Sequence, residues 1–277
     1  MKRRHALSSP NPGDLKKWLK ESSVYQNLGA DIVWLNAVFY SPQVDNGYDI
    51  SDYYAIYPAY GSLQDMDELV AQVHARGMNL MIDLVVNHTS DQHRLFQVSR
   101  ASVDNAYRDW YIWRKPVFRD GARYPPNNWR SYFRGGAWTY DKSGEYYLRL
   151  FTRDQPDLNS ENPRSRDAVH DIVRYCLNHG ADGFRMDIIN VISKDQSCPD
   201  AAFTNPDSPW QSGKEYYAAR PRLHSVNLDH GPTDKFGHRE WGLGELKAIV
   251  GKREMPQTSM SWRCLVQDSS LPINFRE

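Results

Sequence analysis

"SLQDMDELVAQVHARGMNLMIDLVV", residues 62–86, decides the fold. Its first half carries a helical pattern. Ser62 is followed three residues later by Asp65, which makes a capping-box pair. Leu63, Met66, Leu69, Val70 and Val73 recur at helical spacing and form one apolar face. Gly77 stops the run. The second half, "MNLMIDLVV" (78–86), is apolar nearly throughout, as strands of a covered parallel sheet are.

The same alternation extends in both directions. "DIVWLN" (31–36) reads as a buried strand, and "SPQVDNGYDISDYY" (41–54) as a polar loop. Downstream, Asn162 caps a helix opened by Pro163. Val169, Ile172, Val173, Cys176 and Leu177 line its face, and Gly180 ends it. "DGFRMDIIN" (182–190) follows as another strand. Residues 104–160 interrupt the pattern with Pro-rich and aromatic turns. A hairpin is expected in "AWTYDKSGEYYLRLF" (137–151) around Lys142–Gly144. This segment reads as an inserted subdomain between 1–103 and 161–277. Strand, helix, strand, insertion, helix, strand is a parallel α/β order. Ligands in such folds gather at the carboxyl ends of the strands. The pattern weakens after about residue 195 and is degenerate after about 222, with one short helix expected near 239–249 and no clear element in the last 25 residues.

Composition narrows the function classes. Lys+Arg and Asp+Glu are balanced at 34 each in a chain of 277 residues, so no basic field favours nucleic acid or an acidic membrane. No apolar run reaches the length of a membrane span. The N-terminal "MKRRHALSSPNPG" lacks the apolar core of a secretory signal. Cys176, Cys198 and Cys264 form neither a disulfide framework nor a metal spacing, which points to a reduced, cytoplasmic setting. The 9 Trp, 17 Tyr and 9 Phe cluster with polar residues, as in "WYIWR" (110–114) and "NNWRSYF" (127–133). Such surfaces suit ring-shaped, hydroxyl-rich ligands, although an aromatic-rich core is the plainer account of the count alone.

Three short stretches carry candidate chemistry. Arg185 and Asp187 interrupt an otherwise apolar strand, and a charge in such a place needs a partner or a chemical role. The residues by themselves leave an internal salt bridge and a catalytic carboxylate both open. Asp83, Asn87 and His88 lie along "DLVVNHTS" (83–90) and its end. "GYD" (47–49) and "QPDLN" (155–159) are each common loop sequences when taken alone.

Taken in order they say more. "LGADIVWL", "GYDISDY", "DLVVNHTS", "PPNNW", "AWTYD", "YYLRLF", "QPDLN" and "DGFRMDIINVISK" cover roughly residues 28–222. With these pieces the chain resembles the oligo-1,6-glucosidase and maltase branch of the α-amylase clan of glycoside hydrolases. The resemblance implies a (β/α)₈ TIM-type barrel with a subdomain inserted after the third strand. It also implies retaining hydrolysis of α-1,6 or α-1,4 glucosidic bonds in short oligosaccharides such as isomaltose or maltose. By this resemblance Asp187 matches the nucleophile, and Arg185, on the same strand face, the arginine that orients it and keeps it ionised. His88 and Asp49 match residues that hydrogen-bond the non-reducing glucose, and Tyr48 matches the platform beneath it. Asp83 and Asn87 match structural members of the strand-end cluster, and Phe151 and Gln155 line the site. Ile188, a bulky β-branched aliphatic where maltose-specific relatives carry threonine, leans toward α-1,6 cleavage.

The chain also departs from the family. Relatives place the acid/base in "VGEMP", whereas here the sequence is "VGKREMP" (250–256), with Lys252 and Arg253 ahead of the matching Glu254. Two extra residues shift the register, and two cations depress a carboxyl pKa, the wrong direction for a general acid. The family's "NHDQ" has only a faint echo in "VQDSS" (266–270). "WLKESSVYQ" (18–26) resembles the first strand region but runs straight into "NLGADIVWL", without the loop that often holds calcium, so no cofactor or metal is expected. The expectation is an incomplete barrel, with pieces of a longer gene lost or misjoined and catalysis impaired. A non-catalytic sugar-binding or interaction protein is the alternative.

Overall fold

The computed structural model describes residues 29–220, together with 5–8, 15, 26 and 27. Four parallel strands form the main sheet: β1 (His5–Ser8), β2 (Ala30–Leu35), β5 (Asn79–Val85) and β11 (Gly183–Asp187), side by side in that order. The strand beside β2 comes from His5–Ser8; residues 18–25 of "WLKESSVYQ" lie outside the described residues. Between β2 and β5 the chain makes a small antiparallel pair, β3 (Phe39–Tyr40) with β4 (Asp52–Ile56), and then helix α1 (Leu63–Ala75). Residues 52–54, expected as loop, are thus in a strand; Tyr53 and Ile56 turn inward while Asp52 and Tyr54 stay exposed.

Helix α1 starts as its sequence dictates. The Ser62 side chain accepts from the Asp65 amide at 3.2 Å, and Asp65 Oδ2 accepts from the Ser62 amide at 2.8 Å. Met66, Leu69, Val70 and Val73 are buried. Leu63, the first residue of the helix, is 38% exposed and does not join that buried face. Helix α2 (Arg94–Ala101) follows β5, and helix α3 (Pro163–Asn178) precedes β11. The Asn162 side chain caps α3, and Ile172, Val173 and Cys176 are its buried apolar residues, with Val169 and Leu177 partly buried.

The two faces of the sheet differ. Val33, Leu35, Leu80, Ile82, Leu84 and Phe184 join the buried face of α1 and α3 in one apolar cluster. Trp34, Asp83, Arg185 and Asp187, of opposite parity, are on the other face. The register sets Arg185 beside Asp83 and Asp187 beside Val85. Gly180, at φ +90°, lets α3 close against α1: a Cβ there would sit 2.5 Å from Val70 Cγ1.

Short strands fill 113–148. β6 (Trp113–Arg114), β10 (Tyr146–Leu148) and β9 (Trp138–Tyr140) form one sheet, and β7 (Val117–Arg119) with β8 (Ala122–Tyr124) another. The expected hairpin is the β9–β10 pair, with Asp141–Gly144 as its turn. Helix α4 (Lys214–Tyr217) ends the described part. The helix expected near 239–249 and Glu254 lie outside the described residues. Among the described residues no helix is long and apolar enough to cross a membrane.

Candidate active site

Strand ends supply the site. Asp187 is the last residue of β11, and Arg185, two residues earlier, shares its face. Arg185 Nη1 lies 2.7 Å from Asp187 Oδ1 and 2.9 Å from Asp83 Oδ2. Asp83 is fully buried and takes two more donors. Trp34 Nε1 donates to Oδ1 at 2.6 Å and the Tyr48 hydroxyl to Oδ2 at 2.7 Å. One guanidinium thus bridges two carboxylates, and an indole and a phenol hold the deeper one. The salt bridge and the carboxylate candidate, open alternatives in sequence, are both present in the same cluster.

The electrostatics follow from burial and a surplus of negative groups. Burial pushes the Asp187 carboxyl up to about 6; Arg185 pulls it down, while Asp83 and Asp45 push it further up. Arg185 does not dominate the balance, so Asp187 is less firmly ionised than its pairing alone suggests. Burial also raises the Asp83 carboxyl, against Tyr48, Arg185 and Trp34. The Tyr48 hydroxyl is held well above its ordinary range by burial and then by the Asp83 charge. Two carboxylates share one guanidinium and the Asp45 charge adds to them at Asp187, a balance that favours positive charge developing on a bound ligand.

His88, just past β5, is 2% exposed. Its Nε2 is 3.2 Å from the Tyr48 carbonyl and 3.0 Å from Gln155 Nε2; its Nδ1 is 3.2 Å from Asn87 Nδ2. Burial lowers its pKa, so the ring is neutral at pH 7. The Phe151 ring lies 5.2 Å from the imidazole, with Tyr132 stacked on it at 5.1 Å and Phe133 edge-on at 5.7 Å. Tyr132 and Phe133 are 37% and 53% exposed, so the aromatic surface continues outward from the cluster.

The structure brings Tyr48, His88, Phe151, Gln155, Arg185 and Asp187 together around this cluster. Asp49 is placed differently. Its carboxylate is wholly buried and accepts from the Ser41 hydroxyl at 2.8 Å and from the amides of Val44 and Asp45, both at 3.0 Å. It staples its own loop. Asp45 faces the cluster instead: it accepts from Gln155 Nε2 at 2.9 Å, and its charge is felt at both Asp187 and His88. The chain turns between the two aspartates at Asn46 (φ +49°) and Gly47 (φ +97°), which sends their carboxylates apart. Sequence reasoning missed Asp45; the repeated aspartate in "DNGYD" was the available signal. It also missed Lys194, which is buried 2.8 Å from Asp157 Oδ1.

Ile188 follows Asp187 with φ +44° and ψ +32°, a left-handed conformation that is costly for a β-branched residue. Its side chain is partly buried against a second apolar cluster, which includes Leu148, Leu150 and Val191. Among the described residues, no group of three or more His, Cys, Asp or Glu is arranged to hold a metal ion.

Comparison with known proteins fits this geometry. Residues 8–232 match the model of the α-amylase catalytic domain. The chain is 49% identical over 214 residues to an oligo-1,6-glucosidase of Halalkalibacterium halodurans, a match that covers 77% of this chain and 37% of the relative. Among solved structures it superposes on Bacillus licheniformis trehalose-6-phosphate hydrolase with a TM-score of 0.76 at 38% identity, over 82% of this chain and 41% of that one. It also superposes on an isomaltulose synthase mutant from Erwinia rhapontici in complex with D-glucose, with a TM-score of 0.75 at 36% identity, again over 82% and 41%. The chain spans well under half the length of each of these proteins, and the 8–232 match to the family model includes every residue of the cluster. This chain belongs to the α-amylase catalytic-domain family of glycoside hydrolases.

Proposed function

We propose that the chain carries the glucose-binding and nucleophile half of a retaining α-glucosidase active site, built on an incomplete (β/α)₈ barrel with residues 104–160 as its inserted subdomain. Its substrates are short α-1,6- or α-1,4-linked oligosaccharides such as isomaltose and maltose, acted on in the cytoplasm without a cofactor. The observation that carries this reading is the Arg185 bridge between Asp187 and Asp83 at the strand ends. Arg185 holds one Asp187 oxygen, leaving the other to attack an anomeric carbon. The excess of carboxylates stabilises the oxocarbenium-like transition state. Tyr48 and Phe151 give flat apolar surface to a pyranose, and Asp45, His88 and Gln155 give it hydrogen-bonding partners. The glucose bound by the isomaltulose synthase relative supports the same ligand here.

The nucleophile is testable apart from the acid. A glucosyl fluoride that bears a second fluorine to slow hydrolysis needs no protonation of its leaving group. Asp187 would attack C1, the C1–F bond would break, fluoride would leave, and the ester would persist. Mass spectrometry should find the adduct on the peptide containing Asp187 and none in Asp187→Asn. An unlabelled native chain that nonetheless binds glucose would favour a second reading, a non-catalytic sugar-binding protein. The spacing of "VGKREMP" ahead of Glu254 is what favours that reading.

A further inference from the structure

Behind the sugar-facing cluster lies a second, deeper one. Lys194 and Asp157 have side chains that are 1% and 0% exposed, and Lys194 Nζ lies 2.8 Å from Asp157 Oδ1. The same Nζ donates to Asn87 Oδ1 at 2.5 Å, and Asn87 Nδ2 donates to Asp157 Oδ1 at 2.9 Å. Asp157 Oδ2 is occupied by the Leu150 amide at 2.7 Å. Every polar atom of this set has a partner, as a buried charged pair requires.

The donor inventory fixes the direction of each bond. An ammonium has only donors, so the Asn87 atom that faces Lys194 is the oxygen. The Asn87 NH₂ then faces both Asp157 and His88 Nδ1, the latter at 3.2 Å. A ring nitrogen that meets an NH₂ is satisfied only when unprotonated, and Nε2, unlike Nδ1, also faces a carbonyl that can only accept. In a neutral imidazole the proton is then on Nε2, and it points at the Tyr48 carbonyl. Gln155 pulls the other way. Its Oε1 accepts from the Thr152 amide and its Nε2 donates to Asp45, so an NH₂ also abuts His88 Nε2 at 3.0 Å. Left to Gln155 alone, the ring would carry its proton on Nδ1.

We propose that Lys194 is a positioning residue that pins the Asn87 amide and thereby fixes His88 as the Nε2–H tautomer. That tautomer donates Nε2–H to the Tyr48 carbonyl, so it ties the ring to the residue that carries the platform of the glucose pocket inferred above. Asp157, Lys194 and Asp45 are the charged groups that bear on His88. None of them lies on the β5 strand end that carries the histidine, so the tautomer depends on three separate segments of the chain.

The tautomer is measured without sugar, which separates this inference from the glucosidase reading. Long-range ¹H–¹⁵N spectra of the ¹⁵N-labelled full chain should show His88 with an unprotonated Nδ1 and a protonated Nε2. In Lys194→Met the proton should move wholly or partly to Nδ1, and glucose binding should weaken about fivefold, the worth of the one neutral hydrogen bond that ties the ring to the Tyr48 carbonyl. A folded Lys194→Met, judged by unmoved signals from the other histidines, that kept Nε2–H would overturn the proposal. So would a native chain with Nδ1–H. Asn87→Asp covers the case in which Lys194→Met does not fold: it keeps a partner for Lys194 but sets only acceptors against Nδ1. It should place a proton on Nδ1, and an unprotonated Nδ1 in that variant also overturns the proposal. Absent glucose binding with the expected tautomers would count against the glucosidase reading and leave this one standing.

Discussion

Asp187 is held where ionisation is costly. An unburied aspartate titrates near about 3.9, and burial here raises Asp187 to about 6. A raised folded-state pKa means the native state binds the proton more tightly. The stability it contributes is fully present below about pH 4 and is lost as pH rises through about 6. At pH 7 the ionised carboxylate therefore costs on the order of 1–3 kcal/mol. Asp187→Asn should relieve that cost. Its denaturant midpoint at pH 7 should exceed that of the native chain by a matching amount, with the gap closing toward pH 4, and glucose binding should persist. Labelling by the fluorinated fluoride should fall with pH below about 6, because only the carboxylate attacks. At this scale the sequence spoke clearly where charge met an apolar strand, as at Arg185 and Asp187. It did not show that Asp45 and Asp49 diverge, because the left-handed turn at Asn46 and Gly47 decides which aspartate faces the cluster.

Elements were legible where local chemistry and periodicity agree. Ser62 with Asp65, and Asn162 with Pro163, mark the starts of α1 and α3 by hydrogen bonds their own residues make. Of the short strands between 113 and 148, the β9–β10 hairpin was legible from its local turn, whereas β6, which pairs with β10 more than 30 residues away, gives no such signal. The close approach of α1 and α3 was equally hidden: Gly180 reads as a helix stop, yet it is also the point where Val70 needs room. Gly180→Ala should cost about 2–4 kcal/mol, from overpacking plus the left-handed backbone. Val70→Ala in the same chain should recover part of that loss in a double-mutant cycle. Full additivity of the two changes would show that the contact does not limit helix packing.

For the whole molecule, the alternation of elements pointed to a parallel α/β sheet, while the identity of the strand beside β2 did not follow from it. The glucosidase reading makes two predictions at this scale. Purified chain should release little or no glucose from isomaltose, since losing a general acid typically removes about 10²–10⁴-fold in rate; brisk release would refute this. A version restored to the family's full barrel, with "VGEMP" for "VGKREMP", should be a retaining enzyme that leans toward α-1,6 links. In that enzyme Ile188→Thr should raise the maltose-to-isomaltose ratio of kcat/KM by an amount worth about 1–3 kcal/mol. An unchanged ratio would remove Ile188 as the residue that sets linkage preference.

The partners in the Arg185–Asp83 ion pair are 102 residues apart in sequence, and those in the Gln155–Asp45 hydrogen bond 110. Nothing short of the folded chain assembles these groups, so an unfolded chain has no pocket to offer. Occupancy and folding are then linked through mass action, and a sugar mimic that is never cleaved acts as a conformational stabiliser. At a hundredfold excess over Kd, such a ligand adds about 2.7 kcal/mol to the folded state. The melting temperature should climb with the logarithm of iminosugar concentration and stay flat in Asp83→Asn. In a cell, ambient sugar would set how much of this protein survives proteolysis, even if no glycosidic bond is ever broken.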